Sequence, residues 1–381
     1  MTTNSTQEQR RAPGRRRPRL SLNWLLIFTP AAIMLDRLGH DGVGHVPAGF
    51  VFFCAAIAIV PFAGLIVKGT EQVAARAGAT VGGLLNATFG NLPELIIAMA
   101  ALRAGLFEMV RASIIGALLA NLLFALGLSF LLGGIRHRKQ EFNPRAVAAF
   151  SSTMVLAWLS LALPSAFHRA LGEQATQRPY VALDLIVAVV LLSLYGLFLL
   201  YSLRTHPEIF AELGAPSREE ASDRPGMARG ILMLLIASGG AAWMSEILVG
   251  AAVQASLSLG MSQMFMGVIV LAVVGGAAEA GSAIAMARAN RIDLSLGIAL
   301  GSCVQIALFV APILVLLAPI IGSTPFQLVF SQAEMWMLFG AVLLGLAVTM
   351  SGHADWFKGA QLLALYLIIA VVLYLIPGGT S

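Results

Sequence analysis

The chain has 381 residues, of which 58% are hydrophobic and 11% charged, with a formal net charge of +5. Soluble domains carry about 25% charged residues, so a water-soluble globule of this length is excluded, because its surface could not be covered. A mean hydropathy of +0.85 and 38 glycines without a G-X-Y period leave a polytopic helical membrane protein. The two cysteines, Cys54 and Cys303, both lie in apolar runs. They supply no disulfide framework and no Cys-based zinc site, and read as small buried hydrophobes.

In chain order, residues 1–19 form a basic tail that includes Arg15-Arg16-Arg17. It reads as a cytoplasmic topology determinant and anionic-lipid contact, not as a nucleic-acid site. Crossing a bilayer takes about 20 apolar residues, and eleven stretches come close. The first, Leu20–Leu35, lies in an extra helix over 20–36. It reads as retained, because no A-x-A cleavage site follows and Asp36-Arg37 come directly after it. Pro47–Val67, Thr80–Leu102, Met109–Leu132, Arg145–Leu163 and Tyr180–Tyr201 make a first five-helix unit over 47–201. A polar linker, 202–229, follows. It holds five acids and Pro207, Pro216 and Pro225 at a spacing that matches no EF-hand loop. Gly230–Leu257, Met264–Ala287, Leu294–Leu317, Met335–Thr349 and Trp356–Ile376 make a second unit over 230–376. With the N-terminus in the cytoplasm, nineteen of the 24 Lys and Arg residues fall inside. Only Arg37, Arg103, Arg111, Arg169 and Arg178 fall outside. The positive-inside rule thus predicts N-in and C-out.

The two units repeat at an offset of 185 residues. Gly90-Asn91-Leu92-Pro93-Glu94 aligns with Gly275-Gly276-Ala277-Ala278-Glu279, and Arg103, Glu108 and Gly116 align with Arg288, Asp293 and Gly301. Each motif lies in the second span of its unit. Five is odd, so the second unit crosses in the opposite sense, which is the inverted-repeat plan of secondary transporters. Gly90, Pro93, Gly275 and Gly276 predict broken helices near the bilayer midplane. Backbone carbonyls freed at that depth are tolerated only where they face protein, water or an ion.

An ionised carboxylate at a helix centre costs at least about 2.5–3.5 kcal/mol. Glu94 and Glu279 have no basic residue at the centre of their own spans, since Arg103 and Arg288 lie nine residues on, roughly 13 Å along a helix. The compensating charge is therefore a bound cation or protons. One divalent cation or two protons neutralise the pair equally, so the two occupants exclude each other. Hard oxygen ligands favour Ca²⁺ or Mn²⁺. Carbonyls near Gly90 and Gly275, with Asn91, Ser302 and Gln305, add oxygens to the two carboxylates. No Cys or His sits beside either Glu, which disfavours zinc and copper. Glu246 lies inside the seventh span, where it either lines the ion path or bonds a neighbour. Asp184 and Glu71 read as interfacial, and the six histidines receive no role.

The run Gly82-Gly83-Leu84-Leu85-Asn86-Ala87-Thr88-Phe89-Gly90-Asn91 through Glu94-Leu95-Ile96 resembles the first cation-binding motif of the calcium/cation antiporter superfamily. The likeness is closest to its calcium/proton exchanger (CAX) branch. Ala277-Ala278-Glu279, Asp293-Leu294-Ser295-Leu296-Gly297-Ile298-Ala299-Leu300-Gly301-Ser302 and Gln305-Ile306-Ala307-Leu308-Phe309 are similar to that branch's second motif. Ser245-Glu246-Ile247-Leu248-Val249 is similar to its seventh helix. The resemblance implies eleven helices, exchange of cytosolic Ca²⁺ for H⁺, and Glu94 and Glu279 as ion ligands. Three departures stand out. Gly276 replaces an Asn, Ala280 replaces a His, and the Gly-Ser of the fourth helix reads Gly116-Ala117.

The expectation is an all-α membrane antiporter in a bacterial inner membrane, with Ca²⁺ and H⁺ as transported ions, the lipid bilayer as its surroundings, no nucleic-acid partner and no resident cofactor. A different ion pair (Na⁺-coupled, Mn²⁺ or a monovalent cation) stands as the variant. An intramembrane enzyme is disfavoured because no His-Glu-x-x-His is present. A non-transporting scaffold is the third reading.

Overall fold

A computed structural model describes residues 22–40, 46–77, 79–171, 177–210, 226–321 and 325–376. The basic tail and most of the linker lie outside the described residues. After a 3-10 segment, Leu22–Ile27, the helices are α1 (Phe28–His40), α2 (Ala48–Ala77), α3 (Ala79–Phe89), α4 (Leu92–Arg103), α5 (Phe107–Leu119) and α6 (Leu126–His137). Strand β1 (Lys139–Glu141) leads to α7 (Pro144–Leu171), α8 (Gln177–Leu200) and the short α9 (Pro207–Phe210). The second half comprises α10 (Met227–Leu259), α11 (Gln263–Phe265), α12 (Ala272–Gly275), α13 (Ala277–Arg288), α14 (Ile292–Gln305), α15 (Ala311–Ile321) and α16 (Gln332–Thr349). Strand β2 (His353–Asp355) and α17 (Trp356–Leu375) complete it.

Nine helices among the described residues are long and apolar enough to span a membrane, and a pair bent by 58°, Gln263–Gly275 with Ala277–Arg288, brings the number to ten. The expected eleventh, Leu20–Leu35, is helical over its described part. It is not among the ten, because its α-helical portion is 13 residues long and contains Asp36 and Arg37.

Local chemistry sets the element ends. Ser331 and Glu334 form a capping box at α16, with the Ser331 amide donating to Glu334 Oε2 at 2.8 Å and the Glu334 amide to Ser331 Oγ at 3.2 Å. Asp355 Oδ1 caps α17 by accepting from the Phe357 and Lys358 amides. Gly260 closes α10 in the left-handed region at φ 66°. β1 and β2 pair antiparallel, joining the α6–α7 and α16–α17 connections. On β1 the Lys139 ammonium donates to Glu141 at 2.9 Å and holds that carboxyl below the usual carboxylate range. Both side chains are largely exposed, so the pair adds little stability.

The halves follow one plan. α2 and α10 are long helices packed along each other. Each is followed by a broken span, α3–α4 or α11–α13, and then by a long helix interrupted by a π-helical turn. Those turns are Ala120–Ala125 between α5 and α6, and Ile306–Val310 between α14 and α15. The packing of the halves differs. The π-helical segment Met266–Leu271, which links α11 to α12, lies tightly on α5: a Cβ at Gly116 would strike the Val268 backbone, and one at Gly267 would come within 2.5 Å of Ala112 Cβ. The equivalent α3 lies on its own half instead, where a Cβ at Gly82 would strike the Ala74 carbonyl of α2.

Candidate cation site

Both breaks lie at residues that weaken or interrupt the helical ladder. Pro93 has no N–H, so the Phe89 carbonyl loses its donor four residues on. The turn at Gly90 still closes through its amide to the Asn86 carbonyl at 2.8 Å. At the second break the Gly276 amide reaches the Ala272 carbonyl at 3.0 Å before the chain bends by 58° into α13. Glu94 and Glu279 each fall in the first turn of the helix after the break. There the unpaired amides favour negative charge.

The side chains meet across the two halves. Asn91 Nδ2 donates to Gln305 Oε1 at 2.6 Å, tying the first break to α14. Gly90 allows this approach, since a Cβ there would lie 3.1 Å from Gln305 Oε1 and 2.7 Å from the Asn86 carbonyl oxygen. Glu94 lies against the second break, where Cβ atoms at Gly275 and Gly276 would stand 3.7 and 3.8 Å from its Oε1. Glu279 is buried, and Oε2 accepts from Ser302 Oγ at 2.6 Å. Both Glu94 oxygens and Asn91 Oδ1 are buried without a hydrogen-bond partner among the described residues. Buried polar groups are normally satisfied, and these three atoms are the unsatisfied ones of the candidate site.

The sodium/calcium exchanger protein family matches residues 48–204 and 229–375. The chain belongs to that family. A Ca²⁺/H⁺ antiporter of Aphanothece halophytica is 37% identical to this exchanger-family chain over 371 residues, covering 93% of it and 96% of the relative. The Ca²⁺/H⁺ antiporter ChaA of Bacillus subtilis (strain 168) is 36% identical over 352 residues, covering 92% and 98%. Among solved structures, native YfkE superposes with a TM-score of 0.77 at 33% identity, covering 92% of this exchanger-family chain and all of YfkE. The H⁺/Ca²⁺ exchanger CAX, at 16% identity and a TM-score of 0.66, shares the fold. The resemblance drawn from the two Glu motifs is thereby borne out.

All seven candidate residues of this family member fall at or beside the two breaks. Glu94, Gly90 and Asn91 lie at the first, Glu279 and Gly275 at the second, and Ser302 and Gln305 on the face of α14 that reaches both. Glu246 joins an ion pair instead, accepting from Arg103 at 3.1 Å, with both side chains largely exposed. Asp184, read as interfacial, has a structural partner. It is buried and accepts from the Leu328 amide at 3.3 Å, pinning the extended segment before α16. Two contributors were not legible in the sequence. Tyr195 donates to the Ala87 carbonyl at 2.6 Å and holds α3 against α8, and Ser113 lies beside Glu94 in a small pocket. Neither belongs to a motif, and only the tertiary packing reveals them.

Proposed function

We propose that the chain is a secondary active antiporter that exports cytosolic Ca²⁺ in exchange for H⁺, with Glu94 and Glu279 as the shared ligands of cation and protons. One observation carries the reading. Two repeat-related carboxylates converge inside the membrane-spanning bundle, and neither forms an ion pair among the described residues. Two negative charges at membrane depth need neutralising, and one Ca²⁺ or two protons does so equally. Ca²⁺ takes 6–8 oxygens at about 2.3–2.6 Å in a flexible shell. The carboxylates, Asn91 Oδ1, Gln305 Oε1, Ser302 Oγ and carbonyls near Gly90 and Gly275 are the donors offered for it. The names of the Aphanothece and Bacillus relatives support Ca²⁺ and H⁺ as the ion pair.

Alternating access follows from the unequal packing of the halves, 47–201 and 230–376. The second half's pre-break segment is closed on α5, while the first half's lies back on α2. Exchanging those two arrangements would expose the site to the other side. In this reading the protein sits in a bacterial plasma membrane with its N-terminus in the cytoplasm, and it needs no resident cofactor. The chemistry is ion displacement, with no covalent step. The test is the Ca²⁺-dependent rise in melting temperature of the purified protein, since a ligand that binds only the folded state stabilises it. A rise in wild type that is lost in Glu94→Gln and in Glu279→Gln is expected. No rise in folded wild type would contradict the reading.

A further inference from the structure

The repeat predicts that the surroundings of Glu94 and Glu279 should match, and at several positions they do not. Ser302 donates to Glu279 at 2.6 Å. The residue 185 positions earlier, facing Glu94, is Ala117, and the equivalent of Gln305 is Ala120. Where the second half has a hydroxyl on its carboxylate, the first half has a pocket of about 20 Å³. Glu94, Ser113, Ala117, Ile97, Leu271 and Ile306 are among the residues that line it. That volume suits one water, which needs about 10–15 Å³ and two to four polar partners. The partners are present. Both Glu94 oxygens are buried and unpartnered, and Ser113 Oγ donates to the Val110 carbonyl at 2.8 Å, which leaves its lone pairs free to accept.

We propose that Ala117 opens a water-binding position between Glu94 and Ser113, and that this water makes Ala117 a specificity-determining residue for the divalent cation. The inference rests on the cation site proposed above. A water held at Glu94 lets the bound cation keep one hydration ligand. Small ions that dehydrate reluctantly gain most from this, Mg²⁺ foremost, followed by Mn²⁺. A hydroxyl at position 117 would fill the pocket and give Glu94 the dry partner that Ser302 gives Glu279.

The test is competition of Mn²⁺ and Mg²⁺ against ⁴⁵Ca²⁺ bound to the full-length protein in detergent, for wild type, Ala117→Ser and Ser113→Ala. The first substitution displaces the water and the second removes one of its partners. Both competitors should lose potency relative to Ca²⁺ by about three- to tenfold in each variant. Unchanged ratios in both variants would overturn the specificity role. A high-resolution structure separates the two claims. Solvent density between Glu94 and Ser113 Oγ in wild type, gone in Ala117→Ser, is expected whatever ion is carried, and a dry wild-type pocket overturns the water position even if Ca²⁺ binds. Folded wild type that binds no Ca²⁺ would overturn the cation site and the specificity role together, and the solvent density would still decide the water.

Discussion

Gly116 and Gly301 occupy the same place in the two halves, and their surroundings are opposite. A Cβ at Gly116 would strike the Val268 backbone, whereas one at Gly301 meets nothing within 4 Å among the described residues. Gly267 and Gly82 differ in the same way. The first touches α5 of the other half and the second touches α2 of its own. One sequence plan is thus folded into two packings. A symmetric molecule would have one or the other at both places. The difference teaches that the halves are not redundant copies: the pre-break segment of one packs on the other half, while its counterpart packs on its own.

The largest effect that would break this comparison comes at the carboxylates. Glu94→Gln and Glu279→Gln should each reduce exchange in proteoliposomes to the level of empty vesicles. The melting temperature of the Ca²⁺-free protein should stay unchanged or rise, because a buried charge is removed. Next comes pH. Cation binding needs both carboxylates ionised, so the apparent Ca²⁺ affinity should fall as pH falls, by up to about a hundredfold per unit where two protons are displaced. Titrations of ⁴⁵Ca²⁺ binding across pH read this directly, and a flat profile would remove the proton from the account.

The glycine pair sharpens the comparison. Gly116→Ala should destabilise the protein by about 1–3 kcal/mol through overpacking against Val268. Gly301→Leu should leave stability within about 0.5 kcal/mol yet slow exchange severalfold, because the opposite arrangement would close on that position. Thermal denaturation and uptake measured on the same preparations distinguish the two. A smaller effect on the stability of the Ca²⁺-free protein, read by thermal denaturation, is expected from Asn91→Ala, which removes the link to Gln305. Hydrogen bonds between membrane helices average about 0.6 kcal/mol and reach about 1.7.

Much of this was legible in the chain. The two Glu motifs at one offset marked the breaks, because Gly and Pro leave local signatures that no packing can erase. The placement of Asn91, Ser302 and Gln305 beside the breaks was legible from the motifs that hold them. The departures at Ala117 and Gly276 were visible as letters, but their consequence was not. That Ala117 borders a pocket and Gly276 abuts Glu94 depends on how one half sits on the other. The partner of Asp184 was hidden for the same reason. A span-end position gives no sign that a distant extended segment, held through the Leu328 amide, covers it. The described part of the first helix is the least regular of the expected spans, since apolar content alone does not register its 3-10 start and charged end.

The central claim is most directly tested by ⁴⁵Ca²⁺ uptake into proteoliposomes under an imposed pH gradient, with Glu94→Gln and Glu279→Gln measured alongside. The account predicts uptake that follows the gradient, collapses with a protonophore and is absent from both variants. Uptake surviving both single substitutions, or none by folded wild type at any pH gradient, would contradict it.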